Sequence, residues 1–162
     1  MNQSELNDSI RASREDVWEI LFSQFGDIHI HNPTMQSSNY MHDASRGALD
    51  VVRHCEFTDK LYLDEQITEV DENKSFRVEV LEHNLPFVKE MSATYELSST
   101  GDETTSIKMV SFNSFAPGFM KYLMRGQMSK SVAKHIFGLK YYVETGKTLD
   151  QDNYSEVFSN YK

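Results

Sequence analysis

Residues 117–146 read PGFMKYLMRGQMSKSVAKHIFGLKYYVETG, and the architecture follows from this stretch. Pro117 suits the first turn of a helix, where a missing N–H would have no partner anyway. Apolar residues then return in steps of three and four: Met120, Leu123, Met124, Met128, Val132, Ile136, Leu139 and Val143. That spacing lays them along one stripe of a helix. Gly146 follows the last of them as a C-cap. At roughly 1.5 Å per residue such a helix spans about 40 Å. A stripe of that length needs a broad surface to bury it, and the sequence before it reads as a run of strands.

Composition sets the class. A chain of 162 residues suits one domain with a single core. With 39% hydrophobic and 12% aromatic residues it can fill that core. Sixteen Lys and Arg against 25 Asp and Glu give a net charge of −9, which opposes phosphate backbones and anionic membranes. No nucleic-acid partner is expected. The single cysteine, Cys55, excludes an internal disulfide and suits a reducing compartment. The opening MNQSELNDS lacks the basic and apolar blocks of a signal peptide. No apolar run approaches the ~20 residues of a membrane span. These features predict a cytoplasmic domain without stable membrane insertion.

Upstream of the helix the elements follow in order. Leu6 and Ile10 alternate within a first strand, Ser4 to Ile10. Ser13 reads as an N-cap with Asp16 three residues on, and Val17, Leu21 and Phe25 at four-residue spacing predict a helix over 14–24. Gly26 ends it, and 26–33 has room for one more helical turn. Strands are then predicted at 34–42, 49–57, 61–70, 75–82, 87–97 and 104–115, with turn signals between them. The result is an α+β domain over 1–147: seven strands, two short helices after strand 1, and one long helix. Residues 148–162 form a tail. There Tyr154, Val157, Phe158 and Tyr161 at i, i+3, i+4 and i+7 suggest a short amphipathic helix capped by Asp152, free to dock on the sheet, cover a pocket or join a homodimer.

This order resembles the helix-grip fold of the START-like (SRPBCC) superfamily, which includes polyketide cyclases and dehydrases, birch-pollen-allergen relatives and plant hormone receptors. The carriers are Ser13-Arg14-Glu15-Asp16-Val17-Trp18, Gly47 with Val52-Arg53, Glu65, Gly138-Leu139-Lys140 and Glu144-Thr145-Gly146. The resemblance covers roughly 4–147 and consists of diffuse patterns, not a catalytic signature. It implies a curved antiparallel sheet wrapped around the long helix, with a cavity between them for an apolar or amphipathic small molecule. In the plant receptors a glutamate matching Glu65 helps to hold ligand through water.

A pairing argument selects residues that face such a cavity. If 58–60 is a three-residue loop, Arg53 lies opposite Glu65, Cys55 opposite Leu63 and Val51 opposite Ile67. These pairs share one face because side chains alternate along a strand. The other face carries His54 with Asp64 and Glu56 with Tyr62. The first face is far more apolar and points to the core, so Arg53 and Glu65 form an ion pair within an apolar wall. They read either as a polar anchor for a ligand or as a structural salt bridge. Met120, Met124 and Met128 on the helix, with Met91 and Met109 on the last two strands, would give an adaptable lining, or ordinary core. Tyr95 and Asn113 share parity with those strand methionines and would offer a hydroxyl and an amide inward. Gly126 and Gly138 weaken a helix, so they are expected to admit a strand closely or to leave room for ligand. Phe119 and Tyr122 are candidates for an entrance.

No residues call for a metal or cofactor. His29 and His31 have no companion Cys pair or HExxH arrangement and read as part of a polar loop. His54 and Cys55 are adjacent, so on a strand they point apart and cannot act as base and nucleophile. Three functions remain. The first is binding or carriage of a small hydrophobic or amphipathic molecule in an internal cavity. The second is a polyketide cyclase- or dehydrase-like enzyme, with Glu65 moving protons and Arg53 stabilising an enolate. The third is an interaction module with a vestigial pocket.

Overall fold

The computed structural model describes residues 2–161. Seven antiparallel strands, β1 (Asn2–Ile10), β2 (Met35–Tyr40), β3 (Val52–Phe57), β4 (Tyr62–Asp71), β5 (Ser75–His83), β6 (Val88–Gly101) and β7 (Thr104–Phe115), form one curved sheet in the order β1-β7-β6-β5-β4-β3-β2. β1 pairs antiparallel with β7 at one edge, and β2 to β7 run as an uninterrupted meander to the other edge. Helix α1 (Arg14–Trp18) follows β1, the long helix α2 (Met120–Thr145) follows β7, and a short α3 (Tyr154–Asn160) ends the described chain.

Ser13 caps α1 as expected, its hydroxyl accepting from the Asp16 N–H at 3.1 Å. The helix does not continue as an α-helix to Gln24. After Trp18 it widens into a π-helical turn, Glu19–Ser23, in which the Gln24 N–H donates to Glu19 C=O at 3.0 Å. That wider turn brings Leu21, Phe22 and Ser23 inward together, and all three are buried. A 3₁₀ segment, Phe25–Ile30, then fills the space before β2. Trp18, Phe22, Phe76 and Tyr95 stack or meet edge-on at 4.4–5.7 Å and make the aromatic centre of the core.

Several boundaries differ from the sequence reading: β1 starts at Asn2, β2 ends at Tyr40 and β3 starts at Val52, past the turn at Asp50. The β6–β7 hairpin is longer than expected: pairing runs on through Ser99 with Thr105 to Gly101 with Thr104. Ladder bonds use backbone groups, so polar Ser98 and Ser99 do not end the strand. Pro117 lies outside the long helix. The chain first closes a turn, Met120 N–H to Pro117 C=O at 3.0 Å, and α2 starts at Met120. Its far end is as read, with Gly146 at φ 73° accepting the left-handed cap.

The tail docks on α2, not on the sheet. Phe137 meets Tyr154, Phe158 and Tyr161 edge-on at 4.9–6.0 Å. The Tyr161 hydroxyl donates to Glu144 Oε1 at 2.7 Å, beside the Arg11–Glu144 ion pair at 2.8 Å. Asp152 is not the cap. Asp150 Oδ1 accepts from the backbone N–H groups of Asp152 and Asn153 instead, and Asn153 is the N-cap residue.

Candidate functional site

The β3–β4 register is the one read from the sequence: Arg53 opposite Glu65, His54 opposite Asp64, Cys55 opposite Leu63. Pairing carries that face across the sheet, from Glu65 to Val80, Val78 to Ala93, Tyr95 to Met109 and Met91 to Asn113. The inner face therefore holds every strand residue proposed from the sequence: Arg53, Glu65, Met91, Tyr95, Met109 and Asn113.

Arg53 is the deepest charge. Its side chain is 3% exposed against 14% for Glu65. Nε and Nη2 both reach Glu65 Oε2, at 2.8 and 2.6 Å, while Nη1 donates to Phe25 C=O at 2.9 Å and the guanidinium lies 3.8 Å from the Phe25 ring centroid. Burial works against this charge, but the Glu65 carboxylate beside it prevails and the guanidinium stays protonated. Both hydrogen bonds land on one carboxylate oxygen, so Glu65 Oε1 has no protein partner among the described residues.

Above the pair sits a second layer. The Tyr95 hydroxyl and His135 Nε2 are 3.0 Å apart, and the His31 ring stacks on His135 at 6.0 Å. Burial, helped by Arg53, pushes His135 down to about 3, and burial likewise holds His31 well below the ordinary histidine range. Both imidazoles are neutral near pH 7. Burial and the Glu65 charge push the Tyr95 phenol up, and burial pushes the Cys55 thiol up to about 12. These groups form a hydrogen-bonding surface held in its neutral forms.

Several polar atoms here lack partners. His135 Nδ1, His31 Nδ1 and Ser111 Oγ are buried with no hydrogen bond, and Asn113, two residues beyond Ser111 on the same face, is buried as well. Orphaned polar atoms on an inner face call for water or ligand. Ser111 and Asn113 continue the inner face of β7 beyond Met109, the last β7 member of the main apolar cluster. The main cluster includes Tyr95, Met109, Ile136 and Leu139, with Val132 and Val143 against it. Met91, Met120, Met124 and Met128 belong to neither apolar cluster. Met120 is buried, while Met124 and Met128 are half-buried. Leu123, assigned to the same stripe from its spacing, is 68% exposed. The reason is that α2 is laid down on the sheet by its C-terminal half, leaving that side of its first turns in solvent.

Two surface grooves adjoin the tail. One of about 360 Å³ lies between Tyr141 and the α3 residues Glu156, Val157, Asn160 and Tyr161. Another of about 850 Å³ runs from His29 and Met35 to Leu149 and Asp152. None of the nine residues named from the sequence borders either groove.

Sequence reasoning missed the two buried histidines. His31 was read as part of a polar loop, yet it is 3% exposed, because the 3₁₀ segment turns it under α2. His135 had a legible signal: it falls three residues after Val132 and four before Leu139, inside the apolar stripe. Ser111 could have been found from the parity it shares with Met109 and Asn113. No group of three or more His, Cys, Asp or Glu among the described residues is placed to hold a metal ion.

The arrangement, a seven-stranded curved antiparallel sheet gripping a long C-terminal helix, is the START-like helix-grip fold. Solved structures similar to it include the protein XoxI from Bacillus cereus, with a TM-score of 0.72, 15% identity, and coverage of 86% of this chain and 94% of that one. Norcoclaurine synthase from Thalictrum flavum, solved with dopamine and hydroxybenzaldehyde, is similar at TM-score 0.67 and 15% identity, covering 91% of this chain and 89% of that one. Ara h 8.0201 is similar at TM-score 0.70 and 13% identity, covering 88% and 97%. At these identities the likeness is one of fold. No family model and no curated protein sequence matches the chain. No described helix is long and apolar enough to cross a membrane.

Proposed function

We propose that this protein binds a small amphipathic molecule between the inner face of β6–β7 and the N-terminal half of α2. The observation that carries the reading is that Ser111, Asn113 and Met91 opposite Asn113 continue the inner face of β6–β7 past Met109, the last β7 member of the apolar cluster, with Ser111 Oγ buried and unpartnered. Met91, Met120, Met124 and Met128 would take the apolar body of the ligand, since thioethers adapt to varied shapes. Ser111 and Asn113 would meet its hydroxyl or carbonyl end. Arg53 and Glu65 support this layer from below, and Glu65 Oε1 can join it directly or through water.

Neither His135 nor Tyr95 is suited to general acid–base work near pH 7. A general base works best with a proton affinity near the operating pH, whereas His135 is pushed down to about 3 and Tyr95 is pushed up.

Native mass spectrometry of freshly purified protein, followed by denaturing extraction, tests this reading. A non-covalent adduct that dissociates on denaturation is expected. Asn113→Leu should weaken retention about tenfold, the usual consequence of leaving a ligand polar group unpaired. A bare polypeptide mass, together with no thermal shift against a panel of amphiphiles, would sink the proposal.

A further inference from the structure

The first turns of α2 carry large apolar groups in solvent. Phe119 is 62% exposed, Tyr122 74% and Leu123 68%. With Gly126 and Lys130 they recur at i, i+3, i+4, i+7 and i+11, so they share one outward stripe. Phe87, 48% exposed, extends this apolar tip from the β5–β6 loop, because its carbonyl accepts from the Ala116 N–H at 2.9 Å just before the helix. Isolated exposed apolar residues are ordinary, whereas a contiguous group marks an interaction surface.

Charge identifies the partner. From Met120 to Lys130 the helix carries three basic residues, Lys121, Arg125 and Lys130, and no Asp or Glu, although the whole chain carries −9. Lys121 lies 4.9 Å from the Tyr122 ring, and Arg125 and Lys130 are exposed. The helix start is also electrostatically incomplete. Phe119, the N-cap residue, offers no side-chain hydrogen bond, and the first turn has no acidic residue. The N–H groups of Met120, Lys121 and Tyr122 donate to the carbonyls of Pro117, Gly118 and Phe119, so the positive end of the helix dipole beside Lys121 is what attracts anions here. Screening over roughly 8 Å at physiological salt makes this local charge count for more than the net charge.

We propose that the start of α2, with Phe87, docks peripherally on lipid bilayers bearing anionic headgroups. Phe119, Tyr122 and Leu123 enter the headgroup–acyl boundary while Lys121, Arg125 and Lys130 meet the phosphates and carboxylates. This surface is separate from the interior site and does not depend on a ligand there.

Vesicle flotation tests the proposal, with phosphatidylcholine alone compared with phosphatidylcholine containing about one-third phosphatidylserine, an anionic fraction that attracts basic side chains. Co-flotation with the anionic vesicles only is expected, and it should be lost in high salt. Lys121→Glu and Arg125→Glu should each lower partitioning by about fivefold or more, and Leu123→Ser by about tenfold. The acidic replacements favour the helix dipole, so a loss of binding with unchanged circular dichroism is not a loss of fold. Equal binding to both vesicles, or no binding to either in low salt, overturns the proposal. So does a concentration-dependent dimer that Tyr122→Ser abolishes while vesicles are ignored, which would assign the stripe to a second copy.

Discussion

The two halves of α2 belong to one unbroken helix and live in different environments. From His135 to Leu139 five consecutive residues are buried, more than one face of a helix can supply to a sheet alone. The sheet takes Ile136 and Leu139, the 3₁₀ segment takes Gly138, and the tail covers Phe137. From Lys121 to Ser131 no residue is buried. The same local geometry thus anchors the fold at one end and leaves faces uncovered at the other. The difference comes from what the rest of the chain places around the helix.

The largest expected effect is at the floor beneath the anchored half. Arg53→Ala leaves Glu65 without its partner and the Phe25 carbonyl without its donor, and should destabilise the protein by about 3–5 kcal/mol. Urea unfolding measures this, and a loss under 1 kcal/mol would mean that the pair is wet. Next comes Gly138, where an added Cβ would overlap the His31 carbonyl and press on Pro33. Gly138→Ala should cost about 1–3 kcal/mol by overpacking, despite the better helix propensity of alanine. If the melting temperature rises instead, the approach of the 3₁₀ segment to α2 is looser than described.

Acid probes the same half. His135 titrates near 6.5 when unfolded and near 3 when folded. Between those values the unfolded chain binds the extra proton, so stability is intact above about 6.5 and falls as the pH drops towards 3. The slope is about 1.4 kcal/mol per pH unit for each such group, and His31 acts in the same direction. His135→Gln, which cannot titrate, should flatten this dependence in urea melts between pH 7 and pH 5. An unchanged slope would show that His135 is not held neutral.

The smallest effect sharpens the contrast. Nothing lies within 4 Å of a Cβ at Gly126, so Gly126→Ala should stabilise by up to about 1 kcal/mol through helix propensity alone. Opposite signs at two glycines of one helix would confirm that its halves differ in surroundings. A destabilising Gly126→Ala would indicate a contact on the outlying half.

Much of this was legible in the sequence because it depends on local rules. Ser13, Gly146 and the alternation along the strands are read from neighbours a few residues away. The Arg53–Glu65 pairing follows from the length of one loop. Legibility failed wherever a distant segment sets the environment. Leu123 fits the spacing of the stripe and still points to water, because only the docking of α2 on the sheet decides which arc of its first turns is covered. His31 sits in a polar stretch and is buried by a helix that begins 89 residues later. The amino-acid order determined the strands, the β3–β4 register and a long C-terminal helix, since backbone periodicity and turn chemistry act over a few residues. Only the tertiary structure decided that His31, Tyr95 and His135 join Arg53 and Glu65, and that one half of α2 stays open, because burial is a property of the assembled surfaces.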